Sequence, residues 1–213
     1  LPDGSAVRLT VSRYYTPSGR CIQKSYDHGV EAYRMEKGTR LANGELTSAD
    51  SIHPQDTVKF YTMNKRVVFG GGGIMPDVFV PIDTSQSSAY FGQLVRKGVL
   101  NTFALNYVDE HRDELLKRYS SVEHFRNAFV VGDVMVSALE AYAMKEGIEP
   151  DPEGMERSGG LINIRLKALV ARDLWNTAAY WQVINAENPV DRSFQRALEI
   201  LGDNTFQRLG MTR

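Results

Sequence analysis

Ile162-Asn163-Ile164-Arg165-Leu166-Lys167-Ala168-Leu169-Val170-Ala171-Arg172-Asp173-Leu174-Trp175 decides the reading of the second half of the chain. Ile162, Leu166, Leu169, Val170 and Leu174 recur at spacings that put them on one stripe of a helix running to about Trp175. Working outward, Asp151-Pro152 and Asn188-Pro189 each set a capping side chain before a proline at a first helical position. After a bend, residues 178 to 186 continue as a helix. Upstream, Ser120-Ser121-Val122-Glu123 has the spacing of a capping box, in which hydroxyl and carboxylate each satisfy a free backbone donor. Asp133 is placed to cap the next helix, where Val134, Ala138 and Tyr142 share a face with Met135 and Leu139, and Gly147 sits where a left-handed terminal residue is wanted. No internal repeat or sustained heptad is present, so the expectation from Ser85 onward is a helical domain over 85–213.

Before Thr84 the period is two. Asp3-Gly4 is a two-residue hairpin signal, followed by Val7, Leu9 and Val11 alternating with Arg8, Thr10 and Ser12, which predicts a half-buried strand over residues 6 to 15. Only Leu1 and Pro2 precede that turn, with no initiator Met, signal peptide or membrane span, so a partner strand upstream of Leu1 is expected. Thr16-Pro17-Ser18-Gly19 reads as a turn, and Cys21-Ile22-Gln23 as a short return strand. Asn64-Lys65 between two β-prone runs suggests a hairpin. Val78-Phe79-Val80-Pro81-Ile82 reads as a final core strand, Pro81 marking an edge or end. The predicted fold class is therefore α+β, a β-rich part over 1–84 followed by helices.

Composition excludes some functions. The 213 residues are 42% hydrophobic, enough for a core, and a net charge of −1 gives no basic stripe for a nucleic-acid backbone. The lone Cys21 rules out an internal disulfide and paired-cysteine zinc sites.

Each chemical candidate has a plainer reading beside it. Ser18 lies in a Pro-Ser-Gly turn without a sequence-neighbouring base, so it reads as turn-forming, with approach by His28 or His53 left open. Cys21 as a nucleophile needs His28 or His53 as base and Asp27 or Asp56 as orienter, whereas a cysteine between Arg20 and Ile22 on a strand reads as a small buried hydrophobe. The Gly70-Gly71-Gly72-Gly73 run lacks the Lys-Ser/Thr and helix of a phosphate loop, and Asp77 is expected to bond local backbone amides. His111 and His124 near Asp109, Glu110, Asp113 and Glu114 lack metal-site spacing, and the acidic run fits a solvated helix face answered by Lys117 and Arg118. No cofactor or metal is expected. Trp175, Tyr180 and Trp181 read as core or as a partner surface.

Leu1-x-Asp3-Gly4-Ser5, the string from Thr10 through Tyr14-Tyr15-Thr16-Pro17-Ser18-Gly19 and Gly73-Ile74-Met75-Pro76-Asp77, in that order, resemble the end of the catalytic domain of C-terminal processing peptidases. Residues 24 to 69 stand where members of that family have only a short connection, and so form an insertion. The resemblance implies a serine endopeptidase that cuts proteins near their C-terminal tails with a Ser/Lys dyad. It also implies an oxyanion hole, a PDZ domain that takes the substrate tail, and a location in a bacterial envelope, as periplasm. In that pattern Ser and Lys both lie upstream of Leu1, so no catalytic residue is carried onto this chain, which is expected to be inactive alone. The alternative is that the helical half is a protein-binding or homodimerisation module, with residues 175 to 184 forming a groove.

Overall fold

A computed structural model of the protein describes residues 2, 4–9, 11–24, 26–52, 58–70, 74–188 and 192–210. The chain divides into two compact units, one of Leu1–Ile82 with Gln195–Arg213 and one of Asp83–Phe194.

The first unit overturns the expected β-rich part, and with it the α+β class: the chain is mostly helical. Among the described residues, its regular structure before residue 83 is helix α1 (Gly29–Ala42), a 3-10 turn at Ala49–Ser51 and two short strands, β1 (Lys59–Tyr61) and β2 (Val67–Phe69). The strands pair antiparallel with Phe60 opposite Val68, so the hairpin expected at Asn64-Lys65 forms. Lys65 N donates to Thr62 O at 2.8 Å and Lys65 takes a left-handed φ of 57°, a three-residue loop with a bulge. The described residues of the 6–15 stretch do not form a strand. Tyr15 makes a single bridge to Cys21, and Val7, Leu9 and Val11 stay exposed. Alternation marks a strand only when a neighbour supplies the ladder, and none of the described residues does. For the same reason residues 78–82, expected as a core strand, are irregular, held by Ile82 N donating to Leu46 O at 2.9 Å. Helix α1 arises inside the 24–69 insertion. Its glycines and polar face hide it, while a Lys24–Glu36 ion pair and a Tyr26–Tyr33 stack at 4.1 Å brace it. Leu1, Asp3 and Thr10 of the expected first hairpin and strand lie outside the described residues, while Gly4 has a positive φ of 81°.

The second unit contains α2 (Ala89–Arg96), α3 (Val99–Arg118), α4 (Val122–Ala128), α5 (Asp133–Lys145), α6 (Pro152–Leu174) and α7 (Thr177–Glu187). Helix α6 is its axis, packed against α2, α3 and α7. Ile162, Leu166 and Leu169 are buried as the stripe predicts, and Ala168, Val170 and Ala171 are buried as well, so its C-terminal half is enclosed on every side. Each such leucine or isoleucine stabilises the fold by about 1.5–3 kcal/mol relative to exposure. The helix starts as expected, Asp151 accepting from Gly154 N at 2.8 Å with Pro152 in the first turn. It ends at Leu174, and Asn176 caps α7 by accepting from Ala179 N at 3.1 Å.

Two caps differ from expectation. Ser121, not Ser120, accepts from His124 N at 3.1 Å, so the box is not made and Glu123 instead faces the helix N-terminus as a favourable charge. Gly132 precedes α5, and Asp133 is its first residue. Asn188 closes α7, and the helix expected after it is described from Arg192 as α8 (Arg192–Gly202), followed by α9 (Thr205–Arg208); Pro189 lies outside the described residues. Gly147 does end α5 in the left-handed region (φ 70°), with Ile148 N donating to Ala143 O at 2.9 Å and Gly147 N to Met144 O at 3.0 Å, a Schellman closure. Lys97 Nζ donates to Glu146 O and Gly147 O, covering the same carbonyl-rich end.

Ser158, fully buried on α6, ties that helix to the start of α2. Its Oγ is 2.8 Å from both Gln86 O and Ser88 Oγ, while Ser88 accepts from Phe91 N at 3.2 Å. A carbonyl only accepts, so the Ser158 proton goes to Gln86 and the Ser88 hydroxyl donates back to Ser158. Ser158→Ala is expected to cost about 1 kcal/mol, the low end for losing buried hydrogen bonds because Gln86 and Ser88 are half-exposed and water reaches them. Urea denaturation followed by circular dichroism measures it; an unchanged midpoint would show that the relay contributes nothing.

Candidate functional site

A concavity of the helical unit follows from how α3 and α5 are spaced. Phe103, Asn106, Tyr107 and Glu110 recur along one side of α3, and Val134, Ala138, Ala141 and Lys145 along one side of α5. Phe103 meets Tyr142 with ring centroids 6.1 Å apart, while Tyr107 and His111 share a second, smaller concavity with Val130, which precedes α5. The two helices are therefore antiparallel and bound a groove of about 710 Å³. Met135 is buried beneath it, whereas Val134 is 88% exposed and Val130 79% exposed at its rim.

Its charged groups sit at the ends. Glu110 and His111 lie towards the start of α5, and Lys145 lies at the other end. His111 stacks on Tyr107 at 4.5 Å, and its Nδ1 is 2.9 Å from Tyr107 O. Since that carbonyl can only accept, Nδ1 carries a proton. Burial, helped by the charge of Glu114, pushes the Tyr107 phenol above its ordinary value, so it stays a neutral donor. The lining contains no serine, threonine or cysteine for a base to activate. Such a surface, apolar along its length and charged at its ends, suits an amphipathic helix.

The residues singled out in the sequence are not gathered there, His111 and Glu110 excepted. Ser18 Oγ lies 2.9 Å from Thr16 Oγ1 inside the turn closed by Gly19 N donating to Thr16 O at 2.8 Å. Cys21 is half-buried, its thiol donating to Gln23 O at 3.6 Å, and His28 precedes α1 without a capping bond from its side chain. His53, Asp56, Gly71, Gly72 and Gly73 lie outside the described residues; Gly70 donates to Val58 O at 3.2 Å and extends the hairpin. Asp77, expected to bond backbone amides, takes the Arg66 guanidinium as partner. Asp109 pairs with Arg112 at 3.1 Å, Arg118 lies over the Tyr119 ring, and His124 meets the edge of that ring at 5.6 Å. Among the described residues no three His, Cys, Asp or Glu side chains converge as a metal set, and no helix is long and apolar enough to cross a membrane. Trp175 and Tyr180 pack on the core, while Trp181 points outward, 53% exposed. This groove is formed by α3 and α5.

No curated protein and no solved structure matches the chain. Residues 90–176 match a family of unknown function (DUF8443), and that match runs from α2 to the end of α6 and includes both walls of the groove.

Proposed function

We propose that this chain is the C-terminal, non-catalytic part of a serine endopeptidase similar to the C-terminal processing peptidases, supplying scaffold to a Ser/Lys dyad carried upstream of Leu1. The observation that carries the reading is the apolar side of residues 7–11. Val7, Leu9 and Val11 are 80%, 77% and 85% exposed beside the formed Thr16–Gly19 turn. Burying a side chain of this kind is worth about 1.5–3 kcal/mol, and an unpaired edge with such a face invites pairing with another strand. In the proposed enzyme that neighbour is the strand leading from the catalytic lysine. The substrates are proteins cut near their C-terminal tails, in the envelope of a bacterium.

The reading frame upstream of the codon for Leu1 tests this. A serine followed by a lysine is expected there. The longer product should degrade an unfolded protein and lose that activity when either residue becomes alanine, while residues 1–213 alone leave the same substrate intact. Hydrolysis by this chain unaided, or an upstream frame without the pair, overturns the proposal.

A further inference from the structure

Arg20, in the first unit, is a cation without a counter-ion. It is half-buried, its Nη1 donates to Phe69 O at 3.4 Å, and no carboxylate pairs with it among the described residues. Its Nε is shut off from solvent and has no acceptor. Taking guanidinium N–H groups out of water without acceptors costs free energy, which an anion seated beside the group offsets.

The side chain lines a concavity of about 360 Å³ whose residues all belong to that unit. The Thr16–Gly19 turn forms one wall, and the hairpin from Thr62 to Val68 forms the other. Among the described residues that line it are two arginines, Arg20 and Arg66, and no aspartate or glutamate. Asp77 pairs with Arg66 and neutralises that charge, so the concavity keeps the charge of Arg20. Thr16 Oγ1 donates to Arg20 O at 3.3 Å and lies 2.9 Å from Ser18 Oγ, so these two hydroxyls serve the turn. Thr62 Oγ1 accepts from Arg66 N at 3.1 Å, which leaves its own proton for a ligand.

Donors on two facing walls suit an oxyanion whose oxygens point in several directions. A flat carboxylate is instead satisfied by two parallel bonds from one guanidinium. A phosphate group fills only part of the space, and Met63 and Val68 give an apolar side to whatever carries it. We infer that this concavity binds a small phosphate monoester, its phosphate held by Arg20, Arg66 and Thr62 and its organic part lying against Met63 and Val68. The site is separate from the α3/α5 groove and does not rest on the peptidase reading.

Phosphorus NMR of inorganic phosphate and of phenyl phosphate, each titrated with the complete chain at constant ionic strength, tests the inference. Both signals should broaden, phenyl phosphate should bind more tightly, and acetate should displace neither. Arg20→Gln should weaken binding by about tenfold or more, the scale of a lost charge-assisted hydrogen bond. Thr62→Val should weaken it by about fivefold, the scale of one neutral hydrogen bond, whereas Thr62→Ser keeps the hydroxyl and the affinity. Lys37→Gln removes an exposed charge outside the concavity and should change nothing. Circular dichroism checks that each variant is folded, and the Thr62 pair carries the test if Arg20→Gln is not. Absence of binding overturns the inference. So does equal affinity for the two phosphates, displacement by acetate, a loss in Lys37→Gln equal to that in Arg20→Gln, or binding indifferent to both Arg20→Gln and Thr62→Val.

Discussion

Phe125→Ala is expected to lower the unfolding free energy of the helical unit by about 4 kcal/mol, within the range for emptying a buried phenylalanine site. Phe125 is fully buried and is the hub of an aromatic cluster. It stacks on Phe129 at 4.5 Å and 18°, and meets the rings of Tyr119 at 5.2 Å and Trp175 at 5.4 Å edge-on. Aromatic pairs of this geometry add about 0.5–1.5 kcal/mol each beyond burial. The cluster matters because α4 is only 7 residues long, below the length at which a helix persists without packing. Phe125 is its buried residue, and Trp175 follows the end of α6, so one side chain holds a short helix against the axis of the unit. Lys167 adds a polar tie, Nζ donating to Arg126 O at 2.6 Å and pairing with Glu187 at 2.7 Å, yet it cannot fill the void. Chemical denaturation monitored by circular dichroism should show the loss, with Phe125→Leu costing visibly less because it leaves a smaller cavity. A loss under about 1 kcal/mol would mean that the surrounding rings collapse into the space.

The second half of the chain was legible because its signals are local. The stripe from Ile162 to Leu174, the Asp151-Pro152 start and the Gly147 stop each depend on neighbours within a turn or two. Residues 6–15 show the opposite case. Their alternation is the pattern of a strand, but a strand exists through hydrogen bonds to another segment, which no local reading supplies. Helix α1 was missed because it has no apolar stripe to read and no buried residue. The groove was half visible: Val134, Ala138, Tyr142, Met135 and Leu139 were grouped on one face of α5. The structure splits that face, turning Met135 and Leu139 inward and leaving Val134 and Ala138 open. Periodicity gives the spacing of a stripe and not which of two adjacent stripes meets the core. The aromatic run shows the same limit, since Trp175 and Tyr180 pack inward and Trp181 does not.

Gly154→Ala, by contrast with the usual effect of replacing a helical glycine, is expected to destabilise the unit by about 2 kcal/mol, the sum of overpacking and a weakened cap. Alanine is favoured over glycine inside a helix by about 1 kcal/mol, which taken alone predicts a gain. The surroundings of Gly154 reverse the sign. A Cβ there would stand 2.9 Å from the Tyr90 Cβ, which is tethered to the α2 backbone and cannot swing aside, and would overlap the Asp151 carboxylate. That carboxylate is the cap of α6, bonded to Gly154 N, so displacing it removes a contribution of about 1 kcal/mol at the same moment. Relieving the Tyr90 contact requires α2 to move from α6, loosening the Ser88–Ser158 relay beside it. Gly159 and Gly160, on the same helix, have open space where a Cβ would go. Gly159→Ala and Gly160→Ala should therefore each stabilise by up to about 1 kcal/mol. Opposite signs within one helix separate propensity from packing. A gain at all three positions would mean that α2 approaches α6 less closely than Tyr90 indicates.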